Sequence, residues 1–146
     1  MYGHVQDILA EKGSAVFMVD PDKSVKAAVE EMNAKGVGAL LVVEEGRPVG
    51  IFTERDVLRR IVDAGIDPVS TPVRDVMTAD LTTVAPETPV RSAMQLMTEG
   101  HCRHLPVVWD GELKGLVSIG DIMRRVSLRL EADLRQMSDY ISGRRE

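Results

Sequence analysis

The chain has 146 residues and a formal net charge of −5; 44% of its residues are hydrophobic and only 3% are aromatic. This length suits one compact domain or two very small ones, and the composition predicts an aliphatic core. The negative charge argues against a broad nucleic-acid interface, and the few aromatic side chains argue against a stacking platform for single strands.

Cys102 is the only cysteine, so an internal disulfide and a cysteine-based metal cluster are excluded. The neighbouring cation Arg103 disfavours a metal site built with His101 and His104. The N-terminus lacks the basic and apolar regions of a signal peptide, and no apolar run reaches the roughly 20 residues that span a bilayer. The sequence therefore predicts a cytoplasmic protein with no bound metal and no membrane association.

The first half of the chain predicts helix, strand, helix, strand, strand and helix in that order. Ser24 is a predicted N-cap, and Lys35–Gly36 is a predicted helix end. The predicted elements are a helix over 5–10, a strand over 15–19, a helix over 24–35, strands over 39–43 and 49–52 around a turn, and a helix over 53–62.

The second half repeats this order after a connector over 63–72. A shift of 65 aligns residues 19–62 with 84–127 without a gap, and 13 of these 44 positions are identical, which indicates an internal repeat. The matching elements are a helix over 73–77, a strand over 81–84, a helix over 89–97, and strands over 105–108 and 113–117. We expect an α/β fold of two units, 5–62 and 73–127, each a small three-stranded sheet with flanking helices. The two sheets are expected to pack about a pseudo-twofold axis, because one sheet cannot bury both faces alone.

One motif occurs in both units, as G-I-F-T-E-R-D-V at 50–57 and G-L-V-S-I-G-D-I at 115–122. Thr53 with Asp56, and Ser118 with Asp121, are typical of a helix N-terminus, where a hydroxyl caps and a carboxylate suits the first turn. Because the same pattern recurs in both units, ligand binding is the alternative to a capping role alone. Both interpretations stay open at this point.

An extension over 128–146 continues the last helix. Apolar residues at helical spacing begin in the last motif helix and continue through the extension: Ile122, Val126, Leu130, Leu134, Met137 and Ile141. This amphipathic stripe either packs on its own chain or forms a dimerisation helix, and a homodimer is the preferred prediction. Only the arginines of this helix and Arg144–Arg145 favour DNA binding, so a nucleic-acid partner is not expected.

The repeated V-x-P, the L-P-V-V strand, the turn glycine and G-h-h-[ST]-x-x-D-h resemble a tandem pair of CBS domains, a Bateman module, over 5–127. The run D-Y-I-S-G at 139–143 is similar to the C-terminal helix of small stand-alone CBS-pair proteins. This resemblance implies an adenosyl ligand in clefts between the repeats, with AMP first, then ATP or ADP, NAD and S-adenosylmethionine, and no obligatory cofactor. It also implies that the motif Asp binds the ribose and the motif Ser or Thr lies near the phosphate.

The resemblance further implies that each cleft is built crosswise from both repeats. The first cleft would contain Thr53, Arg55, Asp56, Thr82, Thr83, Val84, Arg103, His104 and Pro106. The second would contain Ser118, Asp121, Phe17, Met18, Val19, Gly38, Ala39 and Leu41. Because Arg103 and His104 are potential cations where the second cleft has Gly38 and Ala39, the first cleft is expected to bind phosphorylated adenosine better.

The sequence contains no nucleophile–base pair and no Walker-type phosphate loop, so no enzymatic activity is expected. The preferred interpretation is a non-catalytic sensor whose nucleotide-bound state is recognised by a separate partner protein. The alternative is a structural dimerisation or assembly module with vestigial clefts.

Overall fold

The computed structural model describes Met1–Gly143; Arg144 and Arg145 lie outside the described residues. The helices are α1 (Val5–Lys12), α2 (Val25–Lys35), α3 (Glu54–Asp56), α4 (Val90–Gly100) and α5 (Ile119–Ile141). The strands are β1 (Met18–Val19), β2 (Ala39–Glu44), β3 (Arg47–Thr53), β4 (His104–Trp109) and β5 (Glu112–Ser118). The mixed α/β architecture, with two small sheets and flanking helices, agrees with the predicted fold class.

Local chemistry sets the ends of several elements. The Ser24 hydroxyl accepts a hydrogen bond from the Ala27 N–H at 3.1 Å, and Gly36 closes α2 in the left-handed conformation with φ 65°. Glycine is favoured there because a Cβ disfavours that backbone region, although His101 takes the same conformation at the end of α4 with φ 51°. The turns after β2 and β4 each place two residues at positive φ, Glu45–Gly46 and Asp110–Gly111, which matches tight two-residue hairpins.

The first sheet has the order β1-β2-β3, with β1 parallel and β3 antiparallel to β2. The second sheet pairs β4 with β5 antiparallel. Each hairpin carries a register irregularity at an equivalent position, between Val42 and Val43 and between Val107 and Val108. The internal repeat is therefore visible in the details of strand pairing as well as in the sequence.

Both predicted first strands are shorter than expected. Of 15–19 only Met18–Val19 is a strand, and of 81–84 only Val84 pairs, as a single parallel bridge to Val107. Val19 and Val84 pair where their side chains are buried, whereas Thr82 and Thr83 are exposed. Met18 is the exception, since it pairs with Leu41 and is 47% exposed. The second sheet consequently has two strands and a bridge in place of three strands.

Two predicted helices also differ. The segment 73–77 forms only a 3₁₀ turn over Val73–Asp75, because the backbone leaves the helical region at Val76, where φ is −125°. The helix from Thr53 has one α-helical turn, α3, and then continues as a π-helix over Val57–Val62. Wide turns of this kind are uncommon and often mark functional sites.

The hydrophobic core consists of two clusters that are built crosswise. Val5 and Ile8 of α1 lie in the cluster formed by the second repeat, whereas Val73 and Val76 lie in the cluster formed by the first. Backbone hydrogen bonds fix both crossings: the Val5 N–H donates to Thr88 O, and the Val73 N–H donates to Lys23 O. The leading segment of each repeat therefore completes the core of the other repeat. The predicted units 5–62 and 73–127 instead group each leading segment with its own repeat.

The stripe along α5 is buried only at its start. Ile122 is fully buried and Val126 packs against the second cluster, but the later apolar residues are 49–78% exposed. These residues are Leu130, Leu134, Met137 and Ile141. The far part of the stripe is thus left largely uncovered by the described residues, Met1–Gly143. Within Met1–Gly143, no helix is both long and apolar enough to cross a membrane.

Candidate functional site at the repeated motif

Both motifs are helix N-termini closed by reciprocal hydrogen bonds. Thr53 Oγ1 accepts from the Asp56 N–H at 3.3 Å, and Asp56 Oδ2 accepts from the Thr53 N–H at 3.0 Å. In the second motif, Ser118 Oγ accepts from the Asp121 N–H at 3.2 Å, and Asp121 Oδ2 accepts from the Ser118 N–H at 2.8 Å. The capping interpretation is therefore confirmed, and each carboxylate is held at a fixed position where a strand meets a helix.

The Asp56 carboxylate is enclosed by its own repeat and by the leading segment of the second repeat. It is 6% exposed. Its Oδ1 accepts from Thr78 Oγ1 at 3.3 Å and lies 3.6 Å from Arg60 Nε, while its Oδ2 also accepts from Thr53 Oγ1 at 3.2 Å. Both oxygens are thus engaged by protein groups, so a diol would have to displace one of them.

The Asp121 carboxylate is more accessible and meets a different cation. Lys12 Nζ lies 2.7 Å from Asp121 Oδ2 and donates to Leu116 O at 2.8 Å. Burial alone would raise the pKa of Asp121, but hydrogen bonds from Lys12 and Ser118 outweigh it, and the pKa is lowered. The carboxylate is therefore ionised at neutral pH. All of its hydrogen bonds from residues of the described chain end on Oδ2.

Arg103 and His104 lie beside this second motif. His104 is opposite Ser118 across β4 and β5, and the Arg103 carbonyl accepts from the Ile119 N–H at 2.8 Å. Burial lowers the pKa of His104, with Lys12 and Arg103 acting in the same direction and Asp121 opposing them. This shift favours the neutral imidazole, and a cationic role for His104 at a phosphate stays a prediction.

The corresponding residues of the first repeat lie beside the first motif. Ala39 is opposite Thr53 across β2 and β3, and the Gly38 carbonyl accepts from the Glu54 N–H at 3.0 Å. Each motif thus contacts the residues at the start of the second strand of its own repeat, β2 or β4. The crosswise grouping of Arg103 and His104 with Thr53 and Asp56 stays a prediction.

The segments that lead into each repeat, residues 5–12 and 73–78, are called the crossing segments here. They place the start of each first strand near the motif of the other repeat. Thr78 contacts Asp56 a few residues before Thr82, and Lys12 contacts Asp121 shortly before Phe17. The other predicted residues differ in accessibility. Arg55, Phe17, Met18, Thr82 and Thr83 are exposed, whereas Val19, Leu41, Val84 and Pro106 are buried. Lys35 Nζ lies 4.9 Å from the centre of the Phe17 ring, so this aromatic face already has a cationic partner.

An apolar recess of about 290 Å³ lies on the helical side of the first repeat, away from the Asp56 carboxylate but against Glu54 and Val57 of the first motif. It is lined by Val29, Met32, Asn33, Val37, Glu54, Val57 and Leu58, none of which is a predicted ligand residue. Leu58 and nearby Val62 are 65% and 67% exposed. This recess is a second exposed apolar surface besides the stripe of α5.

Lys12 and Thr78 are site neighbours that the sequence patterns did not reveal. Both lie in the crossing segments, and their contacts join residues 109 and 22 positions apart. A signal does exist in the sequence: a shift of 68 superimposes Val5 and Ile8 on Val73 and Val76. That shift aligns Lys12 with Asp80, so the two leading segments differ in charge at this position of the sequence.

Comparison with known proteins assigns the chain to a family. The family model "CBS domain" matches residues 5–63 and 73–128. The mitochondrial CBS domain-containing protein CBSX3 of Arabidopsis thaliana is 41% identical over 148 aligned residues, covering 95% of this chain and 72% of that protein. A solved structure of a putative signal-transduction protein with CBS domains from Burkholderia ambifaria is 40% identical, with a TM-score of 0.81 over 84% of this chain and 93% of the other.

Two further solved structures share the fold. One, described as a hexameric CBS-CP12 protein from bloom-forming cyanobacteria, is 29% identical with a TM-score of 0.73, covering 82% of this chain and 66% of the other. The other is the CBS domain pair of protein MJ0100 in complex with 5-methylthioadenosine and S-adenosyl-L-methionine; it is 23% identical with a TM-score of 0.75, covering 86% of this chain and 97% of the other. Together with the family match and the repeated motif, these likenesses show that the chain belongs to the CBS-domain family as a tandem pair.

Proposed function

We propose that this CBS pair is a non-catalytic regulatory module that binds an adenosyl nucleotide and passes its bound state to a separate partner protein. The observation that carries the proposal is the Asp121 carboxylate, which is ionised and fixed by Ser118, and whose Oδ1 takes no hydrogen bond from the described residues. A fixed carboxylate with an available oxygen is the group that a ribose diol requires. The adenosyl ligands of the MJ0100 pair support this ligand class.

The surroundings of Asp121 lead us to place a phosphorylated ligand at this motif, whereas the sequence alone favoured the cleft of Thr53 and Asp56. Lys12 is a cation beside Asp121, and the N-terminus of α5 contributes the positive end of its helix dipole. Asp56, in contrast, is buried and already paired. AMP remains the first expectation, followed by ATP or ADP, NAD and S-adenosylmethionine.

The residues near the motifs give little support to catalysis. Burial raises the pKa of the Cys102 thiol, which lowers its reactivity as a nucleophile. Within Met1–Gly143, no three His, Cys, Asp or Glu side chains converge where a metal ion could bind. A binding role therefore explains the motif better than a reaction does.

Titration calorimetry with AMP tests this function. Asp121→Asn keeps the shape of the side chain and removes its charge, so we expect AMP binding to weaken about 10- to 100-fold, the value of one or two hydrogen bonds to a charged group. Asp56→Asn is expected to weaken it less. Asp110→Asn, in an exposed turn at φ 53°, is the matched control. Wild-type protein that binds none of the adenosyl ligands, or equal affinities for Asp121→Asn and Asp110→Asn, would refute the proposal.

The exposed stripe of α5 favours a second function, assembly of two copies. Leu134 and Met137 are 65% and 60% exposed on one face of a 23-residue helix, and such a face is normally covered by a partner. We infer that the stripes of two chains pack together. The two functions are compatible, because the dimer would present two ligand-binding modules to one partner.

Native mass spectrometry tests the assembly and detects any co-purified ligand at the same time. Wild-type protein is expected to be a dimer at micromolar concentration. Leu134→Glu with Met137→Glu should raise the dissociation constant about 100-fold or more, because charges would be buried without partners. Arg135→Glu, at a neighbouring position off the stripe, is the control. A dimer that survives the double substitution, or a monomeric wild type, contradicts this interface.

A further inference from the structure

The ammonium of Lys12 is bound to the Asp121 carboxylate, the group that the proposed ligand would need. Lys12 is the last residue of α1 and reaches the motif of the second repeat across 109 positions of sequence. Its ammonium makes two hydrogen bonds, to Asp121 Oδ2 and to Leu116 O. The two side chains are 32% and 23% exposed, so the pair lies at an accessible rim.

This arrangement has different consequences for neutral and anionic ligands. A ribose diol that takes both carboxylate oxygens competes with the ammonium for Oδ2. A neutral nucleoside offers Lys12 only uncharged acceptors in return, so separating the ion pair weakens its binding. A phosphate ester does offer one, because a lysine is a flexible point charge with three donors that can turn to an anion.

The first motif provides the contrast. The segment that crosses to Asp56 carries Asp80 at the position aligned with Lys12, and Asp56 is contacted by Thr78 and Arg60 instead. Arg60 Nη1 also donates to the carbonyls of Val76 and Met77, at 3.2 and 2.8 Å, and is tied to the backbone. Only the second motif, among the described residues, has its carboxylate covered by a lysine.

We propose that Lys12 is a specificity-determining residue that makes the Ser118–Asp121 site select phosphorylated adenosyl ligands over uncharged ones. This inference rests on the proposed nucleotide-binding function. Without a ligand, the Lys12 ammonium pairs with the Asp121 carboxylate. When a nucleotide binds, Lys12 pairs with its phosphate and leaves the carboxylate to the ribose, whereas a neutral nucleoside must compete with Lys12 for the carboxylate.

The test compares the affinities of AMP and adenosine by titration calorimetry in full-length protein. Wild type is expected to prefer AMP. Lys12→Met keeps the aliphatic stem and removes the charge, so we expect AMP to bind about tenfold more weakly and adenosine equally or more tightly. The ratio of the two affinities should therefore fall at least tenfold. Lys12→Arg should retain the preference for AMP.

Lys114→Met is the matched control, because Lys114 lies on β5, four residues before Ser118, and pairs with the exposed Glu112. It removes the same net charge and should leave the ratio unchanged. A ratio of affinities that is the same in wild type and Lys12→Met, or that falls equally in Lys114→Met, overturns the role of Lys12. The proposed nucleotide-binding function would stand in that case. Wild type that binds neither AMP nor adenosine overturns the nucleotide-binding function together with this inference.

Discussion

A chain cut between residues 64 and 65 is expected to give two fragments that stay unfolded alone and fold when mixed. Fragment 1–64 lacks Val73 and Val76, which are 0% and 2% exposed in the first cluster, and fragment 65–146 lacks Val5 and Ile8 of the second. Each fragment would also lose the backbone hydrogen bonds of the crossings, such as Val25 N–H to Thr71 O. Losing several fully buried side chains at once exceeds the usual stability of a small domain.

Circular dichroism during urea unfolding measures this result. Neither fragment alone should show a cooperative transition, whereas an equimolar mixture should recover one. Fragment 13–79 is a control of nearly equal length, because it contains every buried residue of the first cluster from Val19 to Val76; it should retain more helix than 1–64. A cooperative transition for 1–64 alone would show that the crossing is dispensable.

Phe52→Ala is expected to lower the free energy of unfolding by about 3–5 kcal/mol, because a large fully buried ring leaves a cavity that the core fills only in part. Phe52 is 0% exposed, lies opposite Leu40 across β2 and β3, and belongs to the first cluster. For a chain of this size, the melting temperature should fall by about 10 °C or more.

Trp109→Ala is the control for the loss of an aromatic ring, since Trp109 is 53% exposed at the end of β4. It should cost less than about 1 kcal/mol. Differential scanning calorimetry of the two variants separates the outcomes. Equal losses of stability would mean that the buried position of Phe52 does not determine its contribution.

Features with local causes could be predicted from the sequence. The Ser24 cap, the Gly36 end of α2 and the tight turns depend on residues within a few positions, as do the caps formed by Thr53 and Ser118. The four strands of the two hairpins, β2, β3, β4 and β5, were also predicted correctly, with bounds that changed by one or two residues. The repeat indicated the fold class because it duplicated all of these signals.

Features that depend on distant contacts could not be predicted in this way. The single bridge of Val84 and the crossing of α1 arise from packing between segments far apart in sequence. The contact of Lys12 with Asp121 and the lowered pKa of His104 follow from the same packing and burial. The family resemblance pointed to the motif carboxylates, but their unequal accessibility became visible only with both crossing segments in place.

The length of α5 means that a small rotation at its N-terminus moves its C-terminal end by a larger distance. The helix begins at the Ser118 cap beside Asp121 and runs without a break over 23 residues to Ile141, which is about 34 Å at 1.5 Å per residue. A tilt of about 5° at its first turn would move its far end by about 3 Å over that length. The π-helical segment of the first repeat ends at Val62 and offers no comparable arm. Small displacements at the second motif would therefore be amplified mechanically at the distal apolar end, where a second chain or a partner would meet them.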